Sequence, residues 1–194
     1  MEIPYIDIHT HSTPHNAITL SSWGIHPWCA EEVALPFDHT PFAECDAVGE
    51  IGLDYICKVD KATQQYIFEA QLQIAQDLDK IVVIHCVRAH NEVLAILKHY
   101  SLRCVIFHGF IGSKELMRRI IQRGYYISYG ERTLSSPKTI EALSSTPIER
   151  LFLETDTSTL SINEIYTHIS TLCSIDKTIL RDTIYDNYKK ILNI

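Results

Sequence analysis

Short apolar runs alternate along this chain with longer stretches in which apolar positions recur at helical spacing, the pattern of βα units built around a parallel sheet. Seven runs read as strands: Tyr5–His11, Ile18–His26, Ala47–Asp54, Ile81–Val87, Cys104–Phe110, Tyr125–Gly130 and Leu151–Asp156, each 6 to 9 residues long. Between them, Thr63–Leu78 puts Ile67, Phe68, Gln71, Ile74, Ala75 and Leu78 on one helical face, and Asn91–Tyr100, Ser113–Arg123 and Pro137–Leu143 repeat the pattern. Ser161 followed by Glu164 reads as a capping box and Asp176 as a second N-cap, so two helices close the chain with no strand after them. The irregular place is His11 to Ile18, where a connection that should hold a helix has only six residues. The expectation is an α/β fold, a single domain over residues 1–194: a (β/α) barrel of seven strands in place of eight. Its closure is distorted between the first and second runs, a gap that a second copy of the chain could cover.

Strand runs in such a barrel should be apolar, yet five of the seven end in a residue able to bind a metal. Ile6-Asp7-Ile8 leads into His9, Val48-Gly49 into Glu50, Val83-Ile84 into His85, Ile106-Phe107 into His108, and Phe152-Leu153 into Glu154-Thr155-Asp156. Strand ends of a barrel surround one mouth, so residues distant in sequence converge there. His9 and His11 are two apart on a strand and face the same way, able to grip one cation together. For His85 and His108 the bland alternative is a core histidine bonded to a backbone carbonyl. Glu50 lies between glycines that let the backbone come close, and its two oxygens could bridge two cations. Asp156 is the best candidate for a general base, its alternative being a helix N-cap that Ser158 or Ser161 could equally provide. His26, Trp28, Arg88 and Asp54 are candidate substrate contacts: His26 and Trp28 by hydrogen bonding and stacking, Arg88 by a phosphate contact. Packing is an equal reading for Trp28. His15, His39, His90, His99 and His168 read as solvent-exposed.

Composition narrows the partners. At 46% hydrophobic, 194 residues can bury one substantial core, and 17 Lys plus Arg against 24 acidic residues leave a net charge of −7 with no clustered basic groove. Any phosphate contact must therefore be local or carried by a metal. The six cysteines show no CxxC pair, Met1–Tyr5 has no leader pattern, and no apolar run is long enough to span a bilayer. The expected location is the cytoplasm, with no membrane partner.

The motifs His9-Thr10-His11, Gly24-Ile25-His26-Pro27, Gly49-Glu50-Ile51-Gly52-Leu53-Asp54, Ile84-His85-Cys86, His108-Gly109-Phe110 and Leu153-Glu154-Thr155-Asp156 follow one another in this order. In this they resemble the TatD family of metal-dependent deoxyribonucleases over nearly the whole chain, and Asn187-Tyr188 is similar to the family's closing Asn-Phe pair. The resemblance implies a TIM-like barrel of the amidohydrolase superfamily and phosphodiester hydrolysis with two divalent ions (Mg, Mn, Zn or Co). By motif position His9, His11, Glu50 and Asp156 hold the first ion, and Glu50, His85 and His108 the second. DNA or a small phosphodiester is the implied substrate.

This chain departs from that pattern in ways that reshape the substrate wall and remove no ligand. Only twelve residues separate His11 from Gly24, where the family carries a full βα unit. Thr157–Leu160 runs almost directly into the helix at Ser161 where the family has a longer insert, Val87 stands where the family often has Arg, and Gly109 where Cys is usual. With no basic cluster to hold a long duplex, the expected substrates are strand ends and short single strands. The same site turned on a small amide or ester, and a degenerate barrel that only binds, are the alternative readings, the six intact ligands speaking against the latter.

Overall fold

The structure, a computed structural model, describes residues 3–13, 16–33 and 35–194. His15, one of the histidines expected at the surface, lies outside them. In chain order the elements are β1 (Tyr5–Asp7), β2 (Ala17–Thr19), β3 (Ser22–Trp23), α1 (Thr40–Glu44), β4 (Ala47–Asp54), α2 (Lys61–Asp77), β5 (Ile81–Val87), α3 (His90–Ile96) and β6 (Cys104–Phe107). They continue with α4 (Lys114–Ile121), β7 (Tyr126–Tyr129), α5 (Glu131–Leu134), α6 (Pro137–Leu143), β8 (Leu151–Leu153), α7 (Ile162–Cys173) and α8 (Lys177–Leu192). The chain forms two compact units: a terminal unit of Met1–Leu20 with His108–Ile194, and a central unit of Ser21–Phe107.

In the central unit, β3, β4, β5 and β6 lie side by side in that order, all parallel. Val48, Ile51, Leu53, Ile81, Val82, Val83 and Ile84 are at most 1% exposed, which is why these strands read as mainly apolar runs: parallel sheets bury both faces. Asp60 caps α2 by accepting from the Thr63 amide at 2.9 Å, and Phe68, Leu72 and Ala75 are fully buried. Two buried amides on the same helix satisfy strand-end backbone. Gln71 accepts from Ile25 N at 2.6 Å and donates to Ile25 O at 3.1 Å; Gln64 does the same for Asp54, at 2.8 and 3.0 Å. Each side chain thus stands in for a missing ladder partner.

In the terminal unit β1 pairs with β2 and β7 with β8, both in parallel. The end of β1 is sewn to the end of β8 by Ile8 N to Leu153 O (3.0 Å), Asp156 N to His9 O (3.1 Å) and His11 N to Asp156 O (3.1 Å). Helix α7 docks on β1 through the Tyr166 hydroxyl, which donates to Ile6 O at 3.0 Å. Asn187 of α8, 4% exposed, donates to Ile148 O and Leu151 O and pins that helix to the start of β8.

All seven apolar runs carry strand, and β4, β5 and α6 match their expected bounds. The second run carries two short strands, so the described residues form eight strands where seven were expected. At Ser21 the chain leaves its register with β1: its carbonyl accepts from Ala47 N at 3.0 Å and its hydroxyl accepts from Asp46 N at 2.9 Å, so the next residues pair with β4. Helices α1 and α5, one turn each, show no sequence period and were not expected. His90 is half-buried, with its ring stacked over Phe107 at 6.4 Å, and not at the surface; His39, His99 and His168 are exposed.

Candidate metal centre

In the terminal unit His9 and His11 continue β1, two residues apart, and their Nε2 atoms stand 3.4 Å from each other. Asp156 follows β8 with φ +52°, a left-handed conformation that Asp tolerates better than most residues. The two bonds to the end of β1 hold it there and bring its Oδ1 to 3.5 Å from His11 Nε2. The N-cap of α7 is Ser161, in a complete capping box, so Asp156 has no capping duty. His11 is 54% exposed at its side chain, whereas His9 is buried. The His108 ring packs on that of His9 at 4.7 Å, with its Nδ1 3.7 Å from Glu154 Oε1.

Two further carboxylates, Asp7 and Glu154, brace this group. Burial pushes Asp7 up to about 6, against the two bonds it accepts from Thr155, N at 2.9 Å and Oγ1 at 2.7 Å. Burial also works to raise Glu154, but the bond and charge of His108, the charge of His9 and the Ser128 hydroxyl outweigh it and hold the carboxyl below its usual range. The signal for both was in the sequence: an acid inside an otherwise apolar strand is costly unless something holds it. A cavity of about 100 Å³ opens beside Asp156, lined among others by Gly109, Gly130, Arg132, Thr133 and Ser158.

In the central unit Glu50 owes its direction to a bulge. Ala47 and Val48 pair with Ile81 and Val82, but Ile51 pairs with Ile84, so β4 carries one extra residue at this point and the side chain is re-aimed. Gly49 is required there: a Cβ would lie 2.5 Å from that of Val83. His85, within β5, has Nδ1 3.4 Å from Glu50 Oε2 and Nε2 3.3 Å from Asp54 Oδ2. Asp54 is 4% exposed and faces inward, accepting from Trp28 Nε1 at 2.7 Å and from the Ile56 amide at 2.9 Å. Burial raises its pKa less than these bonds and His85 lower it, so the carboxyl stays below its usual range. A carboxylate behind the far nitrogen of an imidazole fixes the ring and its tautomer, leaving the Nδ1 lone pair toward Glu50.

His26 Nε2 lies 3.9 Å from the same Glu50 oxygen. Its Nδ1 accepts from the Trp28 amide at 3.3 Å, so in the neutral ring Nε2 carries the proton and is a donor. Arg88, just past β5, is exposed with φ +52°.

Donor chemistry decides whether these groups suit a cation. His9, His11 and Asp156 form one set, and His26, Glu50 and His85 another, with donor atoms within 4.8 Å of one another in each. Nitrogen and oxygen ligands sit about 2.0–2.2 Å from a first-row divalent ion, which places two ligands of the same ion about 3.0–3.5 Å apart. The separations of 3.4 and 3.5 Å in the first set and 3.4 Å between His85 and Glu50 fall at that value; 3.9 Å for His26 does not. The residues fit a divalent cation, with His26 at the margin as a donor.

A profile of the family described as TatD related DNase matches residues 8–193. The chain is 36% identical over 153 residues to the uncharacterized metal-dependent hydrolase YjjV of Escherichia coli K12, covering 72% of this chain and 58% of that protein. It is 33% identical over 149 residues to the 3'-5' ssDNA/RNA exonuclease TatD of Salmonella typhimurium, covering 70% and 56%. The chain thus spans little more than half the length of these relatives. The crystal structure of E. coli YjjV superposes with a TM-score of 0.79 at 23% identity, over 92% of this chain and 78% of that one, and a TatD family hydrolase from Entamoeba histolytica with 0.77 at 21%, over 91% and 74%. That likeness shows the fold, the TIM-like α/β arrangement expected from the runs. With a profile match over nearly every residue and the site motifs in place, the chain belongs to the TatD family.

Proposed function

We propose that this chain is a divalent-metal-dependent phosphodiesterase acting on DNA ends or short single strands, with His9, His11, Glu50, His85, His108 and Asp156 as metal ligands. The observation that carries the reading is the donor spacing of 3.4–3.5 Å in both units, the separation of ligands that share an ion. A bound divalent cation supplies charge that acidifies water and offsets the charge gathering on phosphoryl oxygens. Asp156 accepts the proton of the attacking water as the new P–O bond forms, and the opposite P–O bond breaks, its oxygen taking a proton from solvent. Within the central unit Glu50, anchored by the bulge, faces His85 and His26, whose Nε2–H is suited to donate to a phosphoryl oxygen, and Arg88 is an exposed cation suited to a phosphate.

Substrate size follows from charge. A grip on long duplex needs many cationic contacts, and the balance of 17 basic to 24 acidic residues does not provide them. The relative named as an exonuclease on single strands points the same way. We place the protein in the cytoplasm: no disulfide joins its six cysteines, and among the described residues no helix is long and apolar enough to cross a membrane.

The test compares a short single-stranded oligonucleotide with closed circular duplex, each with added Mg, Mn, Co or Zn, alongside metal analysis of the purified protein. Faster cutting of the short strand is expected. Equal or faster cutting of the circle overturns the substrate assignment, and hydrolysis of a small ester or amide with neither strand cut moves the site to that chemistry.

A further inference from the structure

Trp28 combines two properties that seldom meet in one side chain. It is 59% exposed, so more than half of a large apolar surface stands in water, and yet its one polar atom is anchored in the interior. Nε1 donates at 2.7 Å to Asp54, itself only 4% exposed, and the His26 ring packs edge-on against the indole at 4.8 Å and 85°. The backbone is fixed as well: Trp28 follows Pro27 at the start of a 3₁₀ helix, Pro27–Glu32, where its amide caps onto His26. A tryptophan kept for packing would be covered; one merely tolerated at the surface would not hold its N–H on a buried carboxylate. What remains is a rigid aromatic face whose ordering entropy is already spent.

Its neighbours say what it would meet. His26 and His85, both ring partners of Trp28, also face Glu50, the residue on which the phosphodiesterase reading places chemistry. A base follows its phosphate by one sugar, within reach of a platform beside such a group. We propose that the exposed face of Trp28 stacks one nucleobase of the substrate strand, so that the chain favours base-bearing phosphodiesters over base-free ones without reading sequence, since every base offers a π-face. The inference rests on the phosphodiesterase reading for its ligand class, and on the anchored indole for its position.

The experiment uses the Trp23→Phe background, which leaves Trp28 as the remaining tryptophan; Trp23 packs edge-on upon Phe42 at 4.5 Å, a contact that Phe preserves. Mn-loaded protein is titrated with a short phosphorothioate single strand, which resists cleavage, and with an abasic strand of equal length and phosphate number. Trp28 fluorescence is expected to be quenched by the base-bearing strand, with binding on the order of 10-fold tighter than for the abasic one. In turnover of ordinary strands, Trp28→Leu should raise KM toward the abasic value with a smaller effect on kcat, and Trp28→Phe should restore most of the preference. Equal quenching and affinity for both strands overturns the platform, as does a Trp28→Leu protein that keeps its preference. If that variant fails to fold, the titration of the Trp23→Phe protein alone still decides. Base-dependent quenching without any cleavage retains the platform and removes the hydrolase reading; cleavage indifferent to bases does the reverse.

Discussion

The terminal and central units hold their candidate ligands by different means. In the terminal unit, main chain does most of the holding: three backbone bonds join the end of β1 to the end of β8, Asp7 and Glu154 brace the group from the side, and the His11 side chain stands 54% exposed. In the central unit, side chains do it: Gln71 secures the segment before His26, Gln64 secures Asp54, and Asp54 with Trp28 sets the His85 ring. A backbone frame tolerates side-chain replacement around it, whereas a chain of side chains transmits every loss. Substitutions remote from the candidate ligands should therefore hurt the central unit more.

The largest expected effect is common to both units and sets the scale. Replacing His9 and His11 together with Ala should abolish hydrolysis while far-UV circular dichroism stays near that of the parent; unchanged turnover would break the ligand assignment. Next comes Gln71→Leu, which leaves the Ile25 N–H and C=O without partners. It should cost about 2–4 kcal/mol and lower Tm by roughly 5–15 °C, and a melt within a degree of the parent would show that the amide clamp is dispensable. Asp54→Asn keeps the shape but weakens the hold on His85, so calorimetric titration should find Mn binding about 10- to 100-fold weaker, with little change in Tm. The smallest effect belongs to the terminal unit. Thr155→Val removes the hydroxyl bonds to Asp7 and Thr10 but keeps the amide bond to Asp7, and should cost about 1 kcal/mol without moving metal affinity. A loss of affinity as large as that of Asp54→Asn would erase the contrast between the units.

Much of this was legible in the residues. β4, β5 and α6 could be read to the residue because mainly apolar runs and a Ser-Pro start carry their own boundaries, and Ser161 and Asp176 announced the last two helices by their capping chemistry. The candidate donors were legible because polar residues in apolar runs violate the strand pattern, although Glu50 and His85 prove to lie within β4 and β5 and not at their ends. Partner choice was not: nothing local in Ala17–Trp23 says that β2 joins β1 while β3 joins β4. Nor was aim. The bulge that turns Glu50 is a property of register, and Asp54, read as a substrate contact, faces inward because Trp28 and Gln64, distant in sequence, complete its shell.

The sewing of β1 to β8 also bears on how the protein comes off the ribosome. The central unit is one continuous stretch, so His26, Glu50 and His85 can be assembled as soon as residue 107 has cleared the exit tunnel. Thr155 reaches back 148 positions to Asp7, and His9 and His11 meet Asp156 only when that late segment has been made. At about 5–20 residues per second this is an interval of several seconds in which the nascent chain carries one candidate set and not the other. A chain halted before Asp156 would hold the central candidate set alone, so the terminal set waits on the late segment.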